Sequence, residues 1–377
     1  MSNPMRDSKT KFKIKSSNPS IRLPTLPKPA STDTDLVLQA DDTTFSIDDL
    51  KFNASEQKIV KKSFAHNFDC EIFTTKFCPD DSKAVATLLN GDLYMLNCKN
   101  PAANYTYTVN PNNPITALVW RDANRFLVGD TDSHVFEYEH IKDDNTLKLL
   151  HKHVDPSDDH IFSVDLNNAQ GLMVYAGRNM AINLMSDANK KLIRRYEPGD
   201  SFQIGHTNRI FCVKFVENQP NMFISGGWDN TMFLWDVRVT KAVASVFGPS
   251  VSGESLDIRE NLIAAGSYRD KNPLEIYDLR NFKKICDIQT GTIGKDSMTY
   301  ISSCMFSKAK GLGDYLIAGS CISGKIDIFK KDIVYKTDVS IKDIGSGVFT
   351  CGFSNVETKF YFGTANGRLN VFHYFNM

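Results

Sequence analysis

The run Ile210-Phe211-Cys212-Val213-Lys214-Phe215, then a second run ending at Gly226, then Met232-Phe233-Leu234-Trp235, decides the reading of this chain. Each run is short and rich in β-branched and aromatic residues. Asn, Asp, Gly and Pro separate them. Short runs with frequent turn signals specify strands joined by hairpins, not helices.

Working outward, the same strand recurs seven times, always closing on a large apolar residue. The closing residues are Phe77, Trp120, Leu166, Phe215, Ile258, Phe306 and Phe353. A second run usually ends at a glycine (Gly129, Gly177, Gly226, Gly266, Gly319, Gly363), with Thr87 in that place in the first unit. These glycines read as tight hairpin ends. Third runs follow, such as Leu93 to Leu96 and Leu369 to Phe372. Most units add a polar fourth run, such as Lys191 to Tyr196 and Ala242 to Phe247. Four strands in roughly 40–50 residues is one propeller blade. The expected fold is all-β, a seven-bladed β-propeller over residues 56–377. The last unit ends after its third strand. Residues 58–64, ahead of the first unit, read as its missing fourth strand, which closes the ring and removes an open edge.

The remaining residues, 1–55, differ in texture. Residues 1–30 carry seven basic residues and one acid, Asp7; residues 31–50 carry six aspartates and no basic residue. Apolar density is too low to offset ordering entropy, so a disordered N-terminal tail is expected, with Phe45, Ile47 and Leu50 able to dock as a short element. The basic part suits contacts with acidic partners or nucleic acid; the plainer alternative is a solvated tail neutralised by its own acidic half.

Across all 377 residues the 44 basic and 44 acidic residues cancel. No global field draws the chain to nucleic acid or to an anionic membrane. The eight cysteines form no CxxC pair, and most sit in apolar runs, which favours a reducing compartment. There is no apolar signal core and no long apolar span, so a cytoplasmic or nuclear location is expected, neither secreted nor in a membrane.

Gly205-His206, Ser225, Asp229 and Trp235-Asp236 together resemble a complete WD repeat, also called the β-transducin repeat. The resemblance implies a structural tetrad of His206, Ser225, Asp229 and Trp235. Asp229 would orient His206, His206 would bond Ser225, and Ser225 would bond the Trp235 indole. The other blades put Leu96, Tyr138, Met185, Tyr277, Phe329 and Phe372 at the Trp235 position. They are expected to keep the packing and lose the network. By motif the resemblance covers about residues 200–280; by period it covers the whole repeat region.

Catalytic signatures are absent: no GxSxG, no phosphate loop, no HExxH. Gly311-Leu312-Gly313 falls between strands and fails as a dinucleotide fingerprint. The His206, Asp229 and Ser225 set has the residue types of a triad, but the resemblance makes it structural. His151, His153 and His160 read as a solvated loop between blades rather than a metal site. The expectation is a non-enzyme with no cofactor, no metal and no small-molecule substrate.

In the family, the face carrying the loops into each first strand often binds partners. Projected onto this chain, that rim holds Glu71, Phe73, His160, Phe162, Arg209, Phe211, Trp228, Tyr300 and Phe349. The alternative is that the phenylalanines pack into the blades. Trp235-Asp236-Val237-Arg238 and Tyr277-Asp278-Leu279-Arg280 look like the WDxR boxes of cullin–RING ubiquitin-ligase substrate receptors. Arg238 and Arg280 would then lie near an adaptor, or would simply pair with a neighbouring acid. The leading functional expectation is a scaffold for other proteins; substrate receptor is the alternative.

Overall fold

The computed structural model describes residues 60–374, except 101–102, 142–144, 158, 202, 291–297 and 310–313. The tail expected over residues 1–55 and the Gly311-Leu312-Gly313 loop lie outside the described residues.

Seven antiparallel sheets of four strands are present. The first strands of blades 1 to 7 are Ile72–Phe77, Ile115–Trp120, Ile161–Asn167, Ile210–Phe215, Leu256–Arg259, Ile301–Phe306 and Val348–Phe353. Each touches the first strand of the next blade, and the last touches the first, so the ring is closed. This is the seven-bladed propeller that the repeats specify.

Closure uses the strand Val60–Asn67, which pairs with Arg368–Tyr374 from Val60 opposite Tyr374 to Asn67 opposite Arg368. It runs three residues past the expected end at Phe64. Ala65, His66 and Asn67 pair with Asn370, Leu369 and Arg368, the His66 ring stacks on Tyr94 at 4.6 Å, and the Phe68 N–H donates to the Gly367 carbonyl at 2.8 Å. A second clasp joins blades 1 and 7. The buried Asp81 carboxylate accepts the backbone N–H groups of Asn355 (2.7 Å), Val356 (2.6 Å) and Glu357 (2.8 Å).

The inner strands of neighbouring blades form no ladder with one another. Hydroxyl clips join them instead. Ser163 Oγ accepts the Val213 N–H, Ser303 Oγ accepts the Cys351 N–H, and Thr350 Oγ1 accepts the Thr75 N–H. Two carboxylates act similarly: Asp165 accepts the Phe215 N–H and Asp257 the Phe306 N–H. Buried amides left by the twist between sheets are thus satisfied.

The second-strand glycines have a different reason from the hairpin one expected. A Cβ at Gly129, Gly226, Gly266, Gly319 or Gly363 would lie within 2.5–2.8 Å of Ile161, Val251, Ile301, Val348 or Ile72 respectively. Each of those aliphatic side chains comes from the segment leading into the next blade or from its first strand. Glycine is the socket that lets it seat against the preceding sheet. In blade 3 the socket is Ala176, opposite Ser163, and not Gly177. Ala176 shares a core cluster with Ile210 of blade 4.

His151 and His153 also differ from expectation. They lie in the strand Thr146–Val154, the outer strand of blade 2. Only Leu147 of that strand is buried, so its sequence shows little apolar alternation and resembles a loop.

Candidate functional site

Blade 4 holds one continuous buried network. His206 Nδ1–H donates to Asp229 Oδ2 (2.7 Å), Ser225 O–H donates to His206 Nε2 (2.7 Å), and Trp235 Nε1–H donates to Ser225 Oγ (2.8 Å). His206, Ser225 and Trp235 are each at most 2 % exposed. One proton arrangement satisfies all of them, with His206 neutral. Tyr196, Phe223 and Phe233 enclose the Trp235 ring. A serine sealed from solvent in this way cannot meet a substrate, so the set holds the blade together.

The other blades do not simply lose polar contacts. Blade 5 replaces Trp235 by Tyr277, whose hydroxyl donates to Glu275 at 3.0 Å; Arg269 and Lys284 also reach that carboxylate. Blade 2 pairs His134 with Asp130 at 3.0 Å. In blade 3 Asn183 donates to Asp155 at 3.0 Å. Blades 2, 3 and 5 thus satisfy buried polar atoms with residues other than the tetrad.

The rim is built by a repeated distortion. In blades 1–4, 6 and 7 the pairing register shifts just after the start of the first strand. The residues passed over are Phe73, Thr116, Phe162, Phe211, Ser302 and Phe349. A bulge re-aims its side chain out of the sheet. All of these except Ser302 are half-buried, whereas their flanking strand residues are buried. Blade 5 has no such bulge. Its Tyr268 N–H bonds the Ser250 carbonyl, as Trp228 N–H bonds that of Arg209, so Ser250 is the rim position of that blade.

Phe73 and Phe349 stack at 6.4 Å on blades 1 and 7. On blades 3 and 4 six side chains form an unbroken ladder. Arg178 Nη1 donates to His160 Nε2 at 3.3 Å. His160 meets Phe162 edge-on at 6.1 Å, Phe162 lies parallel to Phe211 at 4.9 Å, and Phe211 meets Trp228 at 5.0 Å. The Arg209 guanidinium lies over Trp228 at 5.6 Å. Trp228 Nε1–H is buried without a hydrogen-bond partner. On blades 5 and 6, Tyr268 and Tyr300 meet at 4.8 Å, with Tyr300 held at φ +52° by backbone bonds to Arg269 and Cys321. A bulky residue in that region costs energy and is kept where the surroundings fix it. Glu71, the remaining rim residue, is half-buried on blade 1.

Arg178 and Tyr268 were not among the expected rim residues. Register shows that they occupy the Trp228 position of their own blades, each donating its N–H to a rim carbonyl. The projection used the tetrad aspartate as its marker, and blades 3 and 5 have Asn179 and Arg269 at that position.

Below the rim, Glu254 of blade 5 reaches blade 1. It takes Lys76 Nζ at 2.6 Å and the Thr74 hydroxyl at 2.7 Å, and this link crosses the central channel. Deeper still, a cavity of about 260 Å³ is lined by Asp165, Lys214, Asp257 and Lys308. Lys214 pairs with Asp257 at 2.6 Å, and burial raises the Asp165 carboxyl. Among the described residues no three His, Cys, Asp or Glu side chains converge as a metal site. Burial pushes the Cys212 thiol up to about 11 and that of Cys351 up to about 12, so neither is a nucleophile at neutral pH.

Arg238 and Arg280 are about two-thirds exposed. Each folds back onto the aspartate two residues before it, Arg238 Nη2 on Asp236 at 2.6 Å and Arg280 Nη2 on Asp278 at 2.7 Å.

Among known proteins, the WD domain, G-beta repeat family matches residues 198–236, the stretch that contains the tetrad. The chain is 32 % identical to a guanine nucleotide-binding protein subunit beta of Arabidopsis thaliana, over 22 % of each chain. It is 26 % identical to the spindle assembly checkpoint protein bub3 of Schizosaccharomyces pombe, over 36 % of this chain and 41 % of that one. It is 28 % identical to the Polycomb protein esc of Musca domestica, over 27 % and 23 %. The matches thus span between about a fifth and two fifths of these relatives' lengths. With the ring, its register and the matched repeat on one chain, this protein is a seven-bladed propeller whose blade 4 matches the WD-repeat family and keeps the full repeat.

Proposed function

We propose that this protein is a non-enzymatic scaffold of the cytoplasm or nucleus that holds partner proteins on the propeller face bearing the blade 3–4 ladder. The ladder carries the proposal. Phe162, Phe211 and Trp228 leave their sheets at bulges or turns and remain half-buried, although fully buried sites exist throughout the blades. Half-buried aromatic and arginine side chains are the usual anchors of protein interfaces, because they cover much area with few rotatable bonds. The named relatives include a signalling subunit, a checkpoint protein and a Polycomb protein.

The test is affinity capture from extract with the full chain, the Phe162→Ser and Trp228→Ala variants, and a chain lacking residues 1–55. Circular dichroism checks each fold. Partners should be lost with the rim variants and kept without residues 1–55. Retention of every partner by both folded rim variants overturns the assignment.

A further inference from the structure

We propose that the blade 3–4 ladder accepts an acidic peptide segment of a partner protein, with one bulky apolar side chain seated against Phe162 and Phe211. The proposal rests on the scaffold reading and goes further by stating the ligand's charge. Two observations carry it. Both ends of the ladder are arginines, Arg178 and Arg209, with aromatic rings between them. Arg178 is exposed and Arg209 half-exposed, so both guanidinium groups are open to a ligand.

The carboxylates nearest them are already engaged. Asp229 accepts from His206, Thr207 and Thr231. Asp155 accepts from Ser157 and Asn183. Asp159 is buried, and that burial raises its carboxyl to about 6. These three carboxylate side chains are buried, so the ionic groups that the ladder itself exposes to a ligand are the two guanidinium groups. Guanidinium groups take carboxylates through paired hydrogen bonds.

A lysine-rich segment would be repelled by the two arginines, whose guanidinium groups are the exposed ionic groups of the ladder.

The experiment measures fluorescence anisotropy of labelled peptides with the full chain. One probe alternates Glu and Gly around a central Leu; its counterpart replaces every Glu by Lys; a third keeps Glu and replaces Leu by Gly. The Glu/Leu peptide should bind, the Lys peptide should not, and loss of Leu should weaken binding. Arg178→Gln and Arg209→Gln should each weaken the Glu/Leu peptide about tenfold, and added salt should weaken it further. Ile285→Ala on the outer strand of blade 5 should leave it unchanged.

Equal or tighter binding of the Lys peptide overturns the proposal, as does binding indifferent to both arginines. If acidic peptides fail while capture of partners still depends on Phe162 and Trp228, the acidic occupant is wrong and the scaffold reading stands. If capture is indifferent to the rim variants as well, both fail.

Discussion

Ser225→Ala isolates what the single complete tetrad contributes. The hydroxyl is 0 % exposed and serves two partners, as donor to His206 Nε2 at 2.7 Å and acceptor from Trp235 Nε1–H at 2.8 Å. Its removal orphans one buried acceptor and one buried donor, each worth about 1–3 kcal/mol. The two losses share one cavity, so they do not simply add, and a total of about 3 kcal/mol is expected. In a domain of this size that corresponds to a fall in Tm of about 5 °C. Trp235→Phe removes the donor while keeping an aromatic ring, the solution already present as Phe329 and Phe372 in blades 6 and 7. The double variant should therefore cost clearly less than the two single losses together. Denaturant unfolding of the four proteins, followed by tryptophan fluorescence and by circular dichroism, measures the cycle. The reasoning is refuted if Ser225→Ala costs under about 0.5 kcal/mol, or if the two substitutions add without coupling.

Two further perturbations probe other parts of the ring. Asp81→Ala removes three charge-assisted bonds between blades 1 and 7 and should destabilise the protein by about 2–3 kcal/mol, with faster hydrogen exchange at Asn355 to Glu357. Asp159 has its carboxyl raised from 3.8 to about 6, chiefly by burial, with Asp155 adding repulsion. The folded state then holds its proton where the unfolded state has released it, so the penalty is absent below about pH 4, grows between pH 4 and 6, and is complete above. Asp159→Asn should flatten that part of the stability profile and raise stability at pH 7 by about 1–2 kcal/mol, allowing for solvent screening. A profile unchanged between pH 4 and 6 contradicts this.

Much of the architecture was legible because a propeller repeats its hydrophobic pattern. The closing residues from Phe77 to Phe353 fall at or beside the ends of the seven first strands, and Ala242–Phe247 is a strand with the bounds the sequence suggested. Positions set by packing between blades were harder to read. Gly226 and Gly266 are conspicuous as glycines, but that each is a socket for an aliphatic side chain of the following blade depends on distances between sheets. The outer strand Thr146–Val154 was missed because only Leu147 in it is buried, so it carries almost no apolar face to read. Arg178 and Tyr268 were missed because blades 3 and 5 lack the aspartate that marks the site in blade 4. Counting from the second-strand sockets would have found both, since Arg178 lies two residues after Ala176 and Tyr268 two after Gly266, as Trp228 lies two after Gly226.

The functional claim is most directly tested by photo-crosslinking in extract, with benzoylphenylalanine placed at Phe211 in one protein and at Ile285 in another. Phe211 lies within the ladder, and Ile285 is exposed on the outer strand of blade 5. The account expects partner crosslinks from position 211 that disappear in the Arg209→Gln background, and none of those partners from position 285. Crosslinks to the same partners from position 285 but not from 211 would contradict it.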